Sequence, residues 1–307
     1  MKKLSRNIKR LFLEPRLELE LFIRKYPKLF TDKFYLGALY RLRFGRRLNW
    51  SNPKSFNEKL SWLKIHDRNP LYTILADKYD VKRFVSELIG EEYIVPTLFV
   101  VNSIHDLDYD KLPQSFVIKA THDSSGAVIV KNKDLFSLES IRDKYNMLMK
   151  RNYFWHMREW PYKNIKPRII VDQYLGESTN DSVALPLRDY KFCCFNGEPQ
   201  YMYITVKDIN IFENFYDKDF HIIDINHGYK RHLPEFIKPK NYDKMWELAG
   251  VLAKASKAPF IRVDFFNING KIFFGEYTFY DWGGLKPFTT FCQDIELGAY
   301  LDISKFN

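Results

Sequence analysis

The 307 residues predict an α+β fold built in several layers. Three observations carry that. Strand-like runs come in adjacent pairs about short turns: FVIKATHDSSGAVIVKNK (116–133), DYKFCCFNGEPQYMYITV (189–206) and RVDFFNINGKIFFGEYTF (262–279). Amphipathic helical stretches lie between the pairs rather than after every strand, which argues against a doubly wound parallel sheet. The 26 Phe and 20 Tyr favour strands and binding surfaces.

Taken in order, residues 1–50 read as helical and basic. In WSNPKSFNEKLSWLKIHDRNPLY (50–72), Ser55 or Asn57 can cap a helix carrying Phe56, Leu60, Leu63 and Ile65, bracketed by Pro53 and Pro70. LADKYDVKRFVSELIG (75–90) reads as one helix, with a stripe of Leu75, Tyr79, Val81, Phe84, Val85 and Leu88 and with Gly90 just past its end. YIVPTLFVV reads as a strand, and SIHDLDYDKLPQ as a short helix and loop. SLESIRDKYNMLMKRNYFW is a helix with Ser137 as expected N-cap and Ser140 as the weaker choice. RIIVDQYLG is a buried strand with a polar exit. NYDKMWELAGVLAKASKA is an amphipathic helix, and QDIELGAYLDISKF closes the chain. The Asn-Gly turn at 196–197 marks the central hairpin.

Charge is uneven. Residues 1–50 hold 14 Lys+Arg against 4 Asp+Glu, so the chain's whole +10 excess lies there and the remainder is balanced. Such an arm suits an anionic membrane surface, an acidic polymer or nucleic acid, or else it is a solvated helical face packed on the body. With no nucleic-acid motif behind it, no nucleic-acid partner is expected. Cys193, Cys194 and Cys292 show no metal-type spacing, and a reducing cytoplasm is the simplest expectation. No apolar run approaches the ~18 residues of a membrane span, and the LFL of the basic start is too short for a secretory core.

Three stretches hold candidate chemistry. In RVDFFNINGKIFFGEYTF, strict alternation puts Arg262, Asp264 and Phe266 on one face and Phe274, Glu276 and Thr278 on one face of the return strand. Two carboxylates beside an arginine suit a hard cation under phosphates, and equally suit a salt-bridged surface hairpin. In FVIKATHDSSG, Lys119 ends an apolar strand before a loop of small polar residues, His122 to Gly126, whose N–H groups can cradle phosphate; an ordinary hairpin loop reads the same way. The polar exit of RIIVDQYL offers backbone to an adenine edge.

The order of these pieces, ADK, then Lys119, then VDQYL, then R-V-D and F-G-E-x-T, resembles the ATP-grasp superfamily over about residues 70–285. WSNPKSFNEKLSWLK, DRNPLYTILADKY, FVIKATHDSSG, DYKFCCFNGE and RVDFFN…FGEYTF resemble more specifically the TupA-like ATP-grasp family, over most of the chain. The resemblance implies two α+β subdomains gripping ATP behind a basic helical N-terminal extension. The expected divisions are 1–50 for the arm, 51–113 for an N-terminal subdomain, 114–175 for the small subdomain with its phosphate loop, and 176–307 for the C-terminal subdomain with the metal site. It implies ATP and Mg²⁺ as cofactors. Lys78 and Lys119 would contact phosphates; His122, Ser124, Ser125 and Gly126 would cover them; Asp172, Gln173, Tyr174 and Leu175 would frame adenine. Asp264, Glu276 and Thr278 would hold the metal, with Thr278 standing where the superfamily usually has Asn. Arg262 would stabilise the transferring phosphoryl group, and Lys191 would reach a phosphate or the acceptor.

The implied reaction is a carboxylate–amine ligation through an acylphosphate, in bacterial capsule or cell-wall polysaccharide synthesis of teichuronopeptide type. The implied partners are a uronic acid or amino acid carboxylate, an amine, and an anionic glycan that is lipid-linked or polymeric. Gly283 and Gly284 either expose N–H groups to the carboxylate or make a plain turn. The arm, with Lys2, Lys3, Arg6, Lys9, Arg10, Arg46 and Arg47, would hold glycan at the inner membrane face. Competing readings are a glycosyltransferase using Asp108-Tyr-Asp110 or Asp217-Lys-Asp219, an ATP-dependent glycan phosphotransferase on the same metal face, and a non-catalytic polysaccharide-binding protein.

Overall fold

Two Asn-Gly turns set the larger of two sheets. The computed structural model describes residues 15–124, 126–176, 188–207 and 210–306. In it Asn196, Gly197, Asn269 and Gly270 all have positive φ, so each hairpin closes with a twist that matches its strands. The first turn joins β5 (Asp189–Phe195) to β6 (Glu198–Lys207), and the second joins β8 (Phe260–Ile268) to β9 (Lys271–Thr278). β5 pairs antiparallel with β8, and β7 (Ile211–Tyr216) adds to β6, giving the order β7-β6-β5-β8-β9. The sequence did not announce β7, because Glu213 and Asn214 interrupt IFENFY. Both are buried and bonded, Glu213 to His227 at 3.1 Å and Asn214 to the His232 amide at 2.7 Å.

The smaller sheet has the order β1-β4-β2-β3, formed by Thr97–Val101, Ile169–Gln173, Phe116–Ala120 and Val128–Val130. Every pair in it is antiparallel. Helix α6 (Glu139–Lys150) lays Ile141, Tyr145 and Leu148 on Phe116, Ile118, Ile169 and Val171. Ser137 does not cap it by its side chain: its carbonyl instead accepts from the Ser140 amide and hydroxyl.

The larger sheet is covered by α7 (Tyr242–Ser256), whose Met245, Leu248, Ala249 and Leu252 are buried. Phe192 is fully buried against Phe265 and Trp246; such a side chain contributes about 1.5–3 kcal/mol by burial. Helix α3 (Phe56–His66) starts at Ser55 in a full capping box with Glu58. The expected single helix over 75–90 is two, α4 (Leu71–Ala76) and α5 (Asp80–Ile89). Asp77 causes the break: its Oδ1 accepts from the amides of Tyr79 and Asp80 at 2.8 and 3.0 Å, a local bond that competes with the helix ladder. Lys78 therefore sits in a turn, not on a helix.

The basic extension is not a loose arm where it is described. Helices α1 (Pro15–Lys25) and α2 (Asp32–Phe44) bury Ile23, Tyr35, Leu36, Leu39 and Tyr40 in a cluster reaching Leu285. The buried Arg158 ties this layer down, donating to the carbonyls of Pro27 and Phe30 and pairing with Asp32 at 2.8 Å. Arg46 lies 3.3 Å over the Phe291 ring and is bonded to Asp294. Lys2, Lys3, Arg6, Lys9 and Arg10 lie outside the described residues, as does Ser125. Among the described residues no helix is long and apolar enough to cross a membrane.

Candidate active site

The hairpin β8–β9 brings the expected charged face together, with one change of register. Arg262 lies opposite Thr278 and Asp264 opposite Glu276, but Phe265 is opposite Phe274. Gly275 is the extra residue of a β-bulge, and a Cβ there would stand 3.1 Å from the Asp264 carbonyl oxygen. The bulge reverses the alternation. Phe274 thus belongs to the core with Phe265 and Tyr277, not to the face of Glu276 and Thr278 as strict alternation had it. β5 places Lys191 opposite Asp264, so Lys191, Asp264 and Glu276 form a row across three strands.

Asp264 is 2% exposed. It accepts from Arg262 through both oxygens, at 2.7 Å each, and from Lys191 at 3.0 Å. Burial alone would raise its carboxyl, but Arg262 and Lys191 together outweigh that and hold it below the usual carboxylate range. Arg262 is fixed from its other end by Asp281 at 2.6 Å and Tyr203 at 3.0 Å. Glu276 is more open and meets Lys78 at 3.6 Å and Arg262 at 3.7 Å. Among the described residues no group of three His, Cys, Asp or Glu could hold a metal ion by itself. Two opposed carboxylates and a hydroxyl still fit Mg²⁺, which takes one or two protein carboxylates and completes its shell with phosphates and water. Asp264, Glu276 and Thr278 are the residues that would hold it.

Between the two sheets runs a cavity of about 610 Å³. Lys78, Lys119, Ser124, Gly126, Asp172, Asp264 and Glu276 line it, with Val81, Ile94, Val95 and Ile129 as apolar wall. Asp172 is buried there and does not face a ring edge freely: it accepts from Lys119 at 3.0 Å, from Thr97 at 2.9 Å and from Lys82. Lys82 was missed in the sequence. It stands four residues after Lys78, in α5, and its ammonium also donates to the Val95 carbonyl at 2.9 Å. Burial lowers its pKa, and Asp172 opposes that. His122 is buried away from the cavity, its Nε2 2.9 Å from the Leu148 carbonyl oxygen. Gln173, Tyr174 and Leu175 follow Asp172 out of β4, and none of the three lines this cavity.

A second cavity, of about 720 Å³, opens on the other side of Glu276. Lys191, Arg262, Thr278 and Arg188 line it, with Tyr203, Phe236 and Trp282 among its aromatic walls. Ser124, Asp189 and Glu276 border both cavities, so the two meet at the carboxylate face. The Gly283 amide is not offered to this space. It donates to the Tyr280 carbonyl at 2.8 Å in a turn, while Gly284 is buried against Leu60 of α3. Lys64 of α3 is 1% exposed and donates to the carbonyls of Met157 and Gly283 at 2.9 and 2.6 Å. Glu159 lies on the cavity wall nearby, and the sequence reading did not single it out. Burial pushes its carboxyl up to about 7, with Lys64 opposing and Glu276 adding to the rise. Burial in turn pulls Lys64 down to about 8, against the pull of Glu159. Asp108 and Asp217 serve turns, Oδ1 accepting from the amides of Asp110 at 3.2 Å and Asp219 at 2.9 Å; neither lines these cavities.

No curated protein matches the chain. Among solved structures it is similar to D-alanine–D-alanine ligase from Bacillus anthracis, at 15% identity and a TM-score of 0.41 over 76% of this chain and 65% of that one. It is similar to the D-alanine–D-alanine ligase of Helicobacter pylori, at 15% identity and a TM-score of 0.40 over 79% and 62%. It is also similar to phosphoribosylamine–glycine ligase from Thermotoga maritima, at 15% identity and a TM-score of 0.38 over 68% and 48%. The chain thus spans less than two thirds of the length of these proteins. Residues 58–302, most of the chain, match the family model described as TupA-like ATPgrasp. The chain belongs to the TupA-like ATP-grasp family.

Proposed function

We infer that the protein joins a carboxylate to an amine through an acylphosphate, in the synthesis of a bacterial surface polysaccharide. The observation that supports this most is the meeting of two cavities at one charged face. A lysine-lined cleft on one side fits a nucleotide, and a mixed polar and aromatic cavity on the other fits an acceptor. Lys78 and Lys119 present ammonium groups to the first, and Asp172 holds Lys119 extended. Arg262 is fixed by Asp264, Asp281 and Tyr203, so its charge is oriented before any substrate arrives. Bound at Asp264, Glu276 and Thr278, Mg²⁺ would neutralise phosphate charge. Arg262 and Lys191 would then orient the acceptor carboxylate for transfer and stabilise the acylphosphate against which the amine attacks.

Peripheral membrane or glycan contact is part of this proposal. Leu19, Phe22, Leu29 and Phe34 are exposed on the basic N-terminal layer, a combination that suits an anionic interface. Incubating the protein with MgATP and a matrix of uronic acids, amino acids and amines tests the ligase reading. ADP, phosphate and an amide are the expected products. A phosphorylated sugar with ADP would move the reaction to glycan phosphotransfer, and binding of nucleotide sugars without ATP would overturn both.

A further inference from the structure

Three carboxylates line the second cavity: Glu159, Asp189 and Glu276. Asp189 holds Lys191 at 2.8 Å, and Glu276 faces Lys78 and Arg262 at 3.6 and 3.7 Å. Among the described residues the Glu159 carboxylate makes no hydrogen bond and no ion pair within 4.0 Å, and Lys64 acts on it only at longer range. Yet Glu159 is only 6% exposed. A buried carboxylate with no direct partner is costly, and a cation or donor from outside the chain would offset that cost.

Its setting is rigid. It follows Arg158, whose side chain is buried under the N-terminal layer, and precedes the 3₁₀ turn Trp160–Tyr162. Lys64 clamps the carbonyls of Met157 and Gly283 on either side of it. A Cβ on Gly283 would lie 3.6 Å from Glu159 Oε1 and 2.6 Å from Met157 Cε, so the absence of a side chain there keeps the carboxylate uncovered. Tyr153, Tyr162 and Tyr280 line the same cavity, the first two in an edge-to-face pair at 4.8 Å. Aromatic faces around a carboxylate recognise an ammonium group by cation–π attraction and charge-assisted hydrogen bonds.

We propose that Glu159, with the rings of Tyr153, Tyr162 and Tyr280, binds the ammonium head of the amine substrate. This rests on the carboxylate–amine ligase reading and deepens it. Arg188, Lys191 and Arg262 bring positive charge to the same cavity and suit the carboxylate partner. The amine and the carboxylate thereby have separate berths on the way to the shared face at Glu276. The competing role for Glu159 is to neutralise the buried Lys64 at longer range.

The test uses the full chain with ethylammonium chloride as probe, ethanol as its neutral counterpart, and sodium chloride at equal ionic strength. Saturation-transfer NMR reads binding, with and without MgADP. The wild type binds ethylammonium and not ethanol, Glu159→Gln weakens this at least about tenfold as a charge-assisted bond is lost, and Glu159→Asp retains part of it. The Asp variant carries the test if the Gln variant does not fold. Undiminished ethylammonium binding in Glu159→Gln, with only its melting temperature altered, makes Glu159 the counter-ion of Lys64 and overturns the proposal. Equal binding of ethanol, or no ethylammonium binding by a wild type that still binds MgATP, overturns it and leaves the ligase reading intact. Failure of the wild type to bind MgATP sinks the ligase reading itself.

Discussion

Glu276→Gln separates a ligand-binding role from a structural one, because the two differ in size. The Glu276 side chain is 38% exposed, and its ion pairs with Lys78 and Arg262 are long, at 3.6 and 3.7 Å. Pairs of that kind contribute about 0–1 kcal/mol. The substitution keeps the shape of the side chain, so the unliganded protein should lose no more than about 1 kcal/mol, or roughly 2 °C of melting temperature for a chain of this size. A nucleotide at 100 times its dissociation constant adds about 2.7 kcal/mol, or roughly 5 °C. The assay is a thermal-shift titration with ADP and a non-hydrolysable ATP analogue, each with and without Mg²⁺. The wild type should show an upward shift that depends on Mg²⁺. The Gln variant should start within about 2 °C of it and lose the Mg²⁺-dependent part. An undiminished Mg²⁺-dependent shift in Glu276→Gln would refute the assignment of Glu276 as a metal ligand.

Asp172→Asn removes the shared partner of Lys82 and Lys119, whose carboxylate is 1% exposed; urea unfolding should show a loss of about 3–5 kcal/mol, as when a buried pair is broken from one side. Asp264 has its folded pKa below its unfolded value, so its stabilisation is present above the unfolded value of about 3.9 and is lost as pH falls through the folded one. The stability gap between wild type and Asp264→Asn should therefore stay level from neutral pH down to about 4 and close below that, measured by denaturant titration across pH. Deleting residues 2–14 should weaken sedimentation with anionic vesicles or acidic polysaccharide and leave the nucleotide-induced thermal shift unchanged. Loss of that shift would count against a separate role for the segment.

The charged face was readable because its residue types and turns are local. Asn269-Gly270 marks the hairpin, and Arg262 and Asp264 alternate as a strand requires. The position of Phe274 was not readable, since the bulge depends on how Gly275 meets the Asp264 carbonyl across the sheet. Of the two caps read, Ser55 and Asn57, Ser55 caps the helix, through a capping box that lies within four residues. Asp77 broke a helix that its stripe favoured, because its side-chain bonds compete at one position that a window of hydrophobicity averages away. Lys82, Glu159 and Lys64 could not be placed from sequence. Each is a charged residue in helical or turn sequence, where a solvated surface is the usual outcome, and only tertiary packing brings them inside. The burial of His122 has the same origin, since α6 supplies its carbonyl partner.

The bulge at Gly275 works as a change of reading frame within a single strand. Before it, Ile272 and Phe274 face the core; after it, Tyr277 does, three residues on, leaving Glu276 and Thr278 to the cleft. Phase in a strand has only two values, so one residue is enough to exchange them. Pairing Gly275 as an ordinary strand residue, with no bulge, would restore unbroken alternation and swap the fates of everything beyond it, sending Glu276 inward and Tyr277 out. The hairpin would look more regular on paper, and the enzyme would have traded its cation face for a tyrosine.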